Sequence, residues 1–222
     1  MKPLAAPESV VTAGVSLLAD ALDQQGVEAV RVDWKPPVEG TAAAVATVMG
    51  DRRRKPANAL ALERMLAAEA TLVDVRPASE ALGLGPGEFL HAGPPVDWEH
   101  ASGPMRGALI GAVLLEGLAS GPEEAEQKLA SGDGLRWEPC HHRGAVGPMA
   151  GVVSPSMWMF ELRDDVHGNT SWCSLNEGLG KVLRYGAYSS EVIERLRWMN
   201  AVLGPLLQAA VRAGDPIDVK AI

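Results

Sequence analysis

PCHHRGAVGPMAGVVSPSMWMFELRDDVHGNTSWCSLNEGLGKVLRYGAY, residues 139–188, holds three of the five histidines and both cysteines of the chain. Within it, the polar run 167–181 neither alternates like a strand nor repeats like an amphipathic helix. Polar residues and glycines between apolar runs are typical of backbone that approaches another group closely. We therefore expect the functional site in this stretch, and we expect the remaining chain to support it.

The composition is that of a globular protein with an acidic balance. The chain has 222 residues, of which 47% are hydrophobic and 22% are charged, enough for one large domain or two small ones. Its formal net charge of -8 argues against a nucleic-acid partner. A local basic run at residues 52–55 lies beside Pro56, where a solvated turn explains it better than a nucleic-acid patch.

The start of the sequence and the cysteines indicate a reduced, cytoplasmic protein. MKPLAAPES lacks the apolar segment of a signal peptide, and the apolar run 108–115 is too short to span a bilayer. Cys140 and Cys173 are therefore expected to be free thiols or ligands rather than a disulfide. We predict no membrane partner.

Helical and strand patterns alternate in the first part of the chain. The predicted helices are 17–22, 41–50 and 56–68, with two more that start at Gly103 and Gly121, and the predicted strands are 27–34, 70–75 and 88–91. This alternation predicts an α/β fold with a mostly parallel sheet and right-handed helical crossovers. Asp33, Asp74 and His91 lie near strand ends, where they either mark a ligand-binding edge or satisfy exposed backbone.

The chain is predicted to change character near residue 133. We expect an α/β (Rossmann-like) layer in residues 1–133, and a glycine-rich α+β site region with a long C-terminal helix in residues 134–222. One continuous domain is the alternative. Pro205 should kink or split the helix. The predicted apolar seam of this helix is Val192, Leu196, Met199, Leu203, Leu206 and Ala210.

Arg106 is a candidate substrate ligand. It falls in the first turn of the helix that starts at Gly103, where the helix dipole disfavours a cation. An anion held at the free N–H groups of that turn would explain the arginine, and a plain surface position explains it equally well. Gly107 and Gly111 of the same helix are explained by close packing.

A metal site is one hypothesis for the adjacent residues Cys140, His141 and His142, with His167 and Cys173 as further ligands. Adjacent ligands fit the known zinc spacings poorly, and neighbouring residues in extended backbone point to opposite sides. We therefore predict no metal and no cofactor, and keep Cys140, His141 and His167 only as alternative ligands. General acid–base catalysis by His142 or His141 fits the chemistry of imidazole better, although a structural hydrogen bond to backbone would explain any single histidine.

Two further blocks supply candidates for substrate binding. The glycines around Gly147 could present backbone N–H groups to an anion, or could form turns between strands. A helix over residues 175–183 would place Glu177 and Lys181 four residues apart, as a surface ion pair or as part of the site. Lys181 and Arg184 could hold a carboxylate or phosphate. The remaining candidates are His167, Asn169 and, at the N-cap of that helix, Asn176.

Longer blocks carry a resemblance to a known family. GPMRGALIGAVLLEGLA, PCHHRGAVGPMAGVVSPSM, the HGN and NEGLGKVLRYGAY block, EVIERLRWM, HAGPPVDWEHASGPMRG and VDWKPP together cover nearly the whole chain. They resemble the family of the oxamate carbamoyltransferase subunit AllG, which includes YlbE- and YahG-like proteins encoded beside FdrA-type proteins. The phosphate loop of the well-known transcarbamylases is missing.

The resemblance implies a cytoplasmic subunit of a multi-subunit enzyme of anaerobic allantoin breakdown, within purine catabolism. Its implied partners are FdrA-like and AllH-like subunits, and its implied reaction converts oxalurate and phosphate into oxamate and carbamoyl phosphate. The resemblance assigns no catalytic residue to any position of this chain. Relatives are expected to continue past the end of this chain, which would then be a short member or a fragment whose last helix needs a partner. A homo-oligomer is a further expectation.

These observations give one mechanistic hypothesis and two rivals. Small anions would be held at two places, His142 or His141 would act as the acid, and asparagines would orient the amides. The rivals are a non-catalytic assembly subunit of an FdrA-containing complex and a metal-dependent ureido amidohydrolase. The predicted substrate-binding residues are Arg106, Asn169, Asn176, Lys181, Arg184 and Gly147, and the predicted catalytic residues are His142, His141, His167 and Glu177.

Overall fold

The computed structural model describes residues 10–33, 38–147 and 151–221. Contacts between residues divide the chain into two units, 1–63 and 64–222, which are described separately. Trp34, the last residue of a predicted strand, lies outside the described residues.

The first unit is a short β-α-β arrangement followed by helices. Its elements are β1 (Val10–Ala13), α1 (Ser16–Gln24), β2 (Ala29–Val32), α2 (Ala42–Gly50) and most of α3 (Arg54–Ala67). The two strands pair in parallel, and Arg31 of β2 donates to Asp20 of α1 at 2.8 Å. The predicted helices and the predicted strand are confirmed here, whereas β1 was not predicted.

The second unit contains two mixed sheets. Its elements are β3 (Ala70–Pro77), α4 (Ala78–Ala81), β4 (Glu88–His91), α5 (Gly103–Leu115), α6 (Pro122–Ser131), β5 (Arg136–Pro139), β6 (Ala145–Val146), β7 (Val152–Val153), β8 (Trp158–Asp164), β9 (Thr170–Ser174), α7 (Ser190–Trp198), α8 (Gly204–Ala213) and β10 (Ile217–Asp218). One sheet has the order β10-β3-β8-β9-β6 and the other has the order β5-β4-β7. Short 3-10 helices cover Cys140–Arg143 and Leu183–Tyr185.

The prediction of a mostly parallel sheet is wrong. In the larger sheet β3 pairs with β8, β8 with β9, and β10 with β3, all antiparallel, and only β6 and β9 are parallel. The physical reason is the tight connection between β8 and β9, because a short turn can join only antiparallel strands. The α/β class itself is confirmed, with mixed instead of parallel sheets.

Helix α5 forms the centre of the main core. Ala108, Leu109 and Val113 are fully buried in it. A Cβ atom added at Gly107 would lie 2.3 Å from the carbonyl oxygen of Gly186, so the two backbones touch directly. The close packing predicted for the glycines of this helix is therefore confirmed.

The long C-terminal helix is also confirmed, with a change of winding near Pro205. Helices α7 and α8 are joined by a π-helical segment, Met199–Leu203. Pro205 has no N–H to donate to the carbonyl of Asn200, and the indole of Trp158 donates to that carbonyl instead, at 3.1 Å. The wider turn accommodates the proline without ending the helix.

The π-helical segment also corrects the predicted seam. Val192, Leu196 and Met199 are buried as predicted, but Leu206 is 63% exposed. A π-helical turn contains an extra residue, which rotates the following part of the helix relative to the core. This rotation turns Leu206 and Ala210 outward, as their exposure shows.

Strand pairs cross the predicted boundary at residue 133. Strand β4 pairs with β5, and β3 pairs with β8. The domain division at this residue stays a prediction. The two strand pairs join residues on both sides of it and so favour the alternative of one continuous domain. Within the described ranges, no helix is both long and apolar enough to cross a membrane.

Candidate functional site

Strand β5 and the 3-10 helix that follows it form the floor of the candidate site. Strand β5 is the outer strand of its sheet. A cavity of about 240 Å³ and a wider cleft of about 590 Å³ both border this strand. Arg136, Trp137 and Glu138 line both, so a single strand shapes two adjoining concave surfaces.

Glu138 organises the polar groups at the end of β5. Its carboxylate accepts a hydrogen bond from Nε of Arg143 at 2.7 Å and lies 3.4 Å from Nδ1 of His142. The hydrogen bond from Arg143 lowers the pKa of Glu138. His142 also lines the wider cleft. His141 packs edge-on against the His142 ring, with 4.7 Å between ring centroids.

A second ion pair lies across the smaller cavity. Arg136 donates through Nε and Nη2 to Glu88 of the neighbouring strand β4, at 2.7 Å for Nε. Glu88 also accepts a hydrogen bond from the N–H of Gly85 at 2.6 Å. This backbone bond and the Arg136 bond lower the pKa of Glu88. The parallel register that opposes Glu88 to Arg136 therefore builds the pair.

The cavity between these pairs offers donors and acceptors together. Arg143 donates through Nε to Glu138 and through Nη1 to the carbonyl of Leu82, at 3.0 Å. In the part of the chain that the structure describes, Nη1 of Arg136 and Nη2 of Arg143 donate to no other group. A small molecule that carries both an anionic group and an N–H group can use the guanidinium donors and the carboxylate acceptors at the same time.

The predicted helix over residues 175–183 is wrong, because the segment is an irregular loop. The side chain of Glu177 is 8% exposed, and its carboxylate accepts hydrogen bonds from the N–H groups of Leu183 at 2.8 Å and Arg184 at 3.2 Å, which close the loop. A charged acceptor for backbone N–H groups competes with helical hydrogen bonding. Without the helix, the predicted i, i+4 pair with Lys181 is not formed, and among the described residues Glu177 pairs instead with Arg195, at 4.0 Å.

The other candidates of this loop mainly support its backbone. Oδ1 of Asn176 accepts from the N–H of Gly178 at 2.9 Å, which makes a turn rather than a helix cap. Nη2 of Arg184 donates to the carbonyl of Gly178 at 2.8 Å. Lys181 is exposed, and its carbonyl accepts from Arg195.

Arg106 is held by the loop that precedes its helix. Its Nε donates to the carbonyl of Trp98 at 3.1 Å and its Nη2 to that of Glu99 at 2.6 Å. The guanidinium also stacks on the Trp98 ring, 5.2 Å from its centroid. These contacts account for a cation in the first turn of α5, and anion binding by Arg106 stays a prediction.

His167 and Asn169 lie together in the turn between β8 and β9. Nδ1 of His167 is 2.7 Å from Oδ2 of Asp164, and the carbonyl of Asn169 accepts from the N–H of Asp164 at 2.9 Å. Burial opposes ionisation of Asp164, but hydrogen bonds from His167 and from backbone N–H groups hold its pKa at about 2. Gly168 has a φ of 76°, which the turn requires.

Cys140 and Gly147 pack against each other. The thiol of Cys140 is buried, and burial raises its pKa to about 11. A Cβ atom at Gly147 would come within 2.7 Å of this sulfur, so packing accounts for the glycine. Across residues 10–33, 38–147 and 151–221, no three His, Cys, Asp or Glu side chains are grouped so that they could hold a metal ion.

The predicted site residues therefore fall into separate groups. The two adjacent histidines lie beside β5, the residues of 176–184 share one loop, and His167 and Asn169 share one turn. The cleft beside His142 and a small cavity of about 30 Å³ beside Glu177 have no lining residue in common. Sequence reasoning missed Glu88, Arg136, Glu138 and Arg143, although the charges that flank the two histidines were a visible signal.

Comparison with known proteins gives a consistent result. Residues 135–222, which include β5 and the C-terminal helix, match the model of the family described as oxamate carbamoyltransferase subunit AllG. The chain is 36% identical over 222 residues to the protein YahG of Escherichia coli K12, covering 96% of this chain and 47% of that protein. It is 45% identical over 169 residues to the oxamate carbamoyltransferase subunit AllG of the same organism, covering 75% of this chain and 40% of that protein.

A solved structure shares the fold. The crystal structure of a conserved protein of unknown function from Enterococcus faecalis V583 superposes with a TM-score of 0.69 at 39% identity, covering 75% of this chain and 40% of that one. The mixed α/β fold is thus shared with a solved protein, and the sequence groups the chain with YahG and AllG. The chain belongs to the AllG family, which confirms the resemblance seen in the sequence. It spans about half the length of the curated relatives that it matches.

Proposed function

We propose that the cavity beside β5 binds oxamate in a carbamoyltransferase-type complex of allantoin breakdown. The supporting observation is the pairing of two guanidinium groups with two carboxylates around about 240 Å³. Oxamate carries a carboxylate next to an amide. Arg136 and Arg143 match the carboxylate, and Glu88 and Glu138 match the amide N–H groups. The name of the AllG relative, which is an oxamate carbamoyltransferase subunit, supports the same ligand class.

The proposed reaction is the phosphorolysis of oxalurate. An oxygen of phosphate attacks the carbamoyl carbon, and the bond from that carbon to the oxamate nitrogen breaks. The proton of the phosphate ends on this nitrogen, so carbamoyl phosphate and oxamate are formed. His142 is the proposed carrier of the proton; its Nδ1 lies 3.4 Å from Glu138 and the residue lines the cleft, which supports this role. His141, which packs on this ring, is the alternative carrier.

Phosphate needs cations beyond this cavity. Lys181 and Arg184 remain the proposed ligands for a second anion, with Arg106 as a further one. Asn169 and Asn176 are retained as proposed orienting groups. FdrA-like and AllH-like subunits are the proposed partners, and a cytoplasmic location belongs to the same proposal.

The test is a phosphorolysis assay on oxalurate with this chain co-purified with an FdrA-like partner. Arg143→Gln and Glu138→Gln should each raise the KM for oxamate in the reverse reaction about tenfold, since each removes one charge-assisted hydrogen bond. Arg163→Gln is the matched control, because Arg163 is exposed and pairs with Asp165 in the β8–β9 turn. Normal KM values in both test variants would remove the proposal.

A second function, non-catalytic assembly, rests on a different observation. Trp198, Val202 and Leu206 form an exposed apolar stripe along the C-terminal helix, with 51%, 48% and 63% exposure. Such a stripe is typical of a subunit contact. Trp198→Ser with Leu206→Ser should release the partner subunit in gel filtration if this function is correct. An intact complex with normal turnover would argue against it.

A further inference from the structure

The segment between α2 and α3 concentrates positive charge in an acidic chain. Residues 51–55 carry four cations and one carboxylate, a net charge of +3, whereas the whole chain carries -8. The segment forms a turn and the start of α3, entirely within the first unit. This local excess of charge is independent of the site beside β5.

The single carboxylate of the segment, Asp51, is hydrogen-bonded to Arg53. Asp51 accepts hydrogen bonds from the backbone N–H of Arg53 at 2.9 Å and from its Nη2 at 2.6 Å. These hydrogen bonds lower the pKa of Asp51. The Arg53 side chain is 91% exposed, so Arg53 and Asp51 form a solvent-exposed ion pair whose charges cancel. In the described part of the first unit, neither Arg52 nor Lys55 has an ion-pair partner.

Three cations of the segment border a cleft. Arg52, Arg54 and Lys55 lie around a space of about 540 Å³, together with Met49, Gly50, Asn58 and Asp51, whose carboxylate is paired with Arg53. Arg54 is fixed there, since its Nη1 lies 2.8 Å from the sulfur of Met49 and 3.4 Å from the carbonyl of Val48. This volume is within the range of small-molecule sites.

The arrangement is electrostatically unfavourable without an anion. Arg54 and Lys55 stand in the first turn of α3, which contains no acidic residue. The positive end of the helix dipole repels cations there, and the three side chains also repel one another. A ligand with two or more negative charges would relieve both effects.

We infer that this cleft is a binding site for the phosphoryl group of a phosphorylated small molecule, with Asn58 contacting a polar group beside the phosphate. Arg52, Arg54 and Lys55 would donate charge-assisted hydrogen bonds to its oxygens. The site goes beyond the proposed carbamoyl transfer and does not rest on it, because none of its residues belongs to the cavity beside β5.

The test is calorimetric titration of the full chain with inorganic phosphate and with pyrophosphate. Pyrophosphate should bind more tightly, and Arg52→Ser combined with Lys55→Ser should weaken it at least about tenfold, given the usual strength of hydrogen bonds to charged groups. Arg64→Ser combined with Arg163→Ser is the matched control, since it also removes two positive charges, one in the last turn of the same helix and one on an exposed side chain, and neither residue borders the cleft. The control should bind like the unmodified chain.

Three outcomes would overturn the inference. No heat with either probe at millimolar concentration would mean that the run is a solvated turn. An equal loss in the double variant and the control would mean general charge attraction. Tighter binding of a short DNA duplex than of pyrophosphate, with a steep salt dependence, would assign the cations to nucleic acid. Circular dichroism of each variant confirms that the helices persist.

Discussion

The carboxylate of Glu177 provides the sharpest test of how the polar loop is held. Its side chain is 8% exposed, and it accepts two backbone hydrogen bonds, from Leu183 at 2.8 Å and Arg184 at 3.2 Å. Hydrogen bonds to a charged acceptor contribute about 1.5–3 kcal/mol each, so Glu177→Ala should lower the free energy of unfolding by about 3 kcal/mol. Glu177→Gln keeps one acceptor oxygen and should lose about half as much.

Urea unfolding followed by tryptophan fluorescence measures this loss. Five of the six tryptophans lie in the second unit, so the signal reports mainly on the part of the chain that contains Glu177. The midpoint should fall with little change in slope, and the melting temperature should drop by about 6–12 °C. Asn176→Ala, at an exposed neighbouring position, should cost less than about 1 kcal/mol.

The alternative role of Glu177 is catalytic. A Glu177→Ala variant with unchanged stability and lost phosphorolysis would refute the structural role and favour the catalytic one. A variant that is destabilised but retains its turnover at low temperature would show that the carboxylate only closes the loop.

Three further predictions concern packing, pH and thiol reactivity. Gly107→Ala should lower the free energy of unfolding by about 1–3 kcal/mol, because its methyl group would meet the carbonyl of Gly186 at 2.3 Å, whereas Gly103→Ala, with open space around it, should be neutral or slightly stabilising in the same urea titration. The pKa of Asp164 is held at about 2, which is below its value in the unfolded chain. Its stabilising effect should therefore be complete at pH values above the unfolded pKa and should disappear as the pH falls towards 2. Asp164→Asn should flatten this part of the curve of melting temperature against pH, and an unchanged curve would contradict the prediction. Burial raises the pKa of the Cys140 thiol to about 11, so in Cys173→Ser protein a disulfide reagent at pH about 8 should react with it far more slowly than in urea, and equal rates would contradict its burial.

Local elements could be read from the sequence because local patterns determine them. Helix α5 begins at Gly103 as the proline in its first turn indicated, and β4 has the predicted bounds. The direction of strand pairing could not be read in this way. Strand β3 is nearly continuous in apolar character, which suggested a parallel sheet, but its partners are β8 and β10, both antiparallel and distant in the sequence.

The candidate site was predictable only in part for the same reason. His141 and His142 stand out as an adjacent pair, and His142 does line a cleft. Glu88 and Arg136 are 48 residues apart, and only the pairing of β4 with β5 brings them together. Glu177 looked like part of a helix because its bonds to residues 183 and 184 depend on the loop conformation, which no periodic pattern reveals.

The central claim is that the cavity beside β5 binds oxamate, and a direct measurement of oxamate binding to the chain is its simplest test. Calorimetric titration of the chain should show oxamate binding more tightly than oxalate, which lacks the amide, and more tightly than acetamide, which lacks the carboxylate. Arg143→Gln should weaken oxamate about tenfold, with Arg163→Gln unchanged. Equal affinity for oxamate and oxalate, or equal affinity in the Arg143→Gln and Arg163→Gln variants, would contradict the assignment of the cavity beside β5.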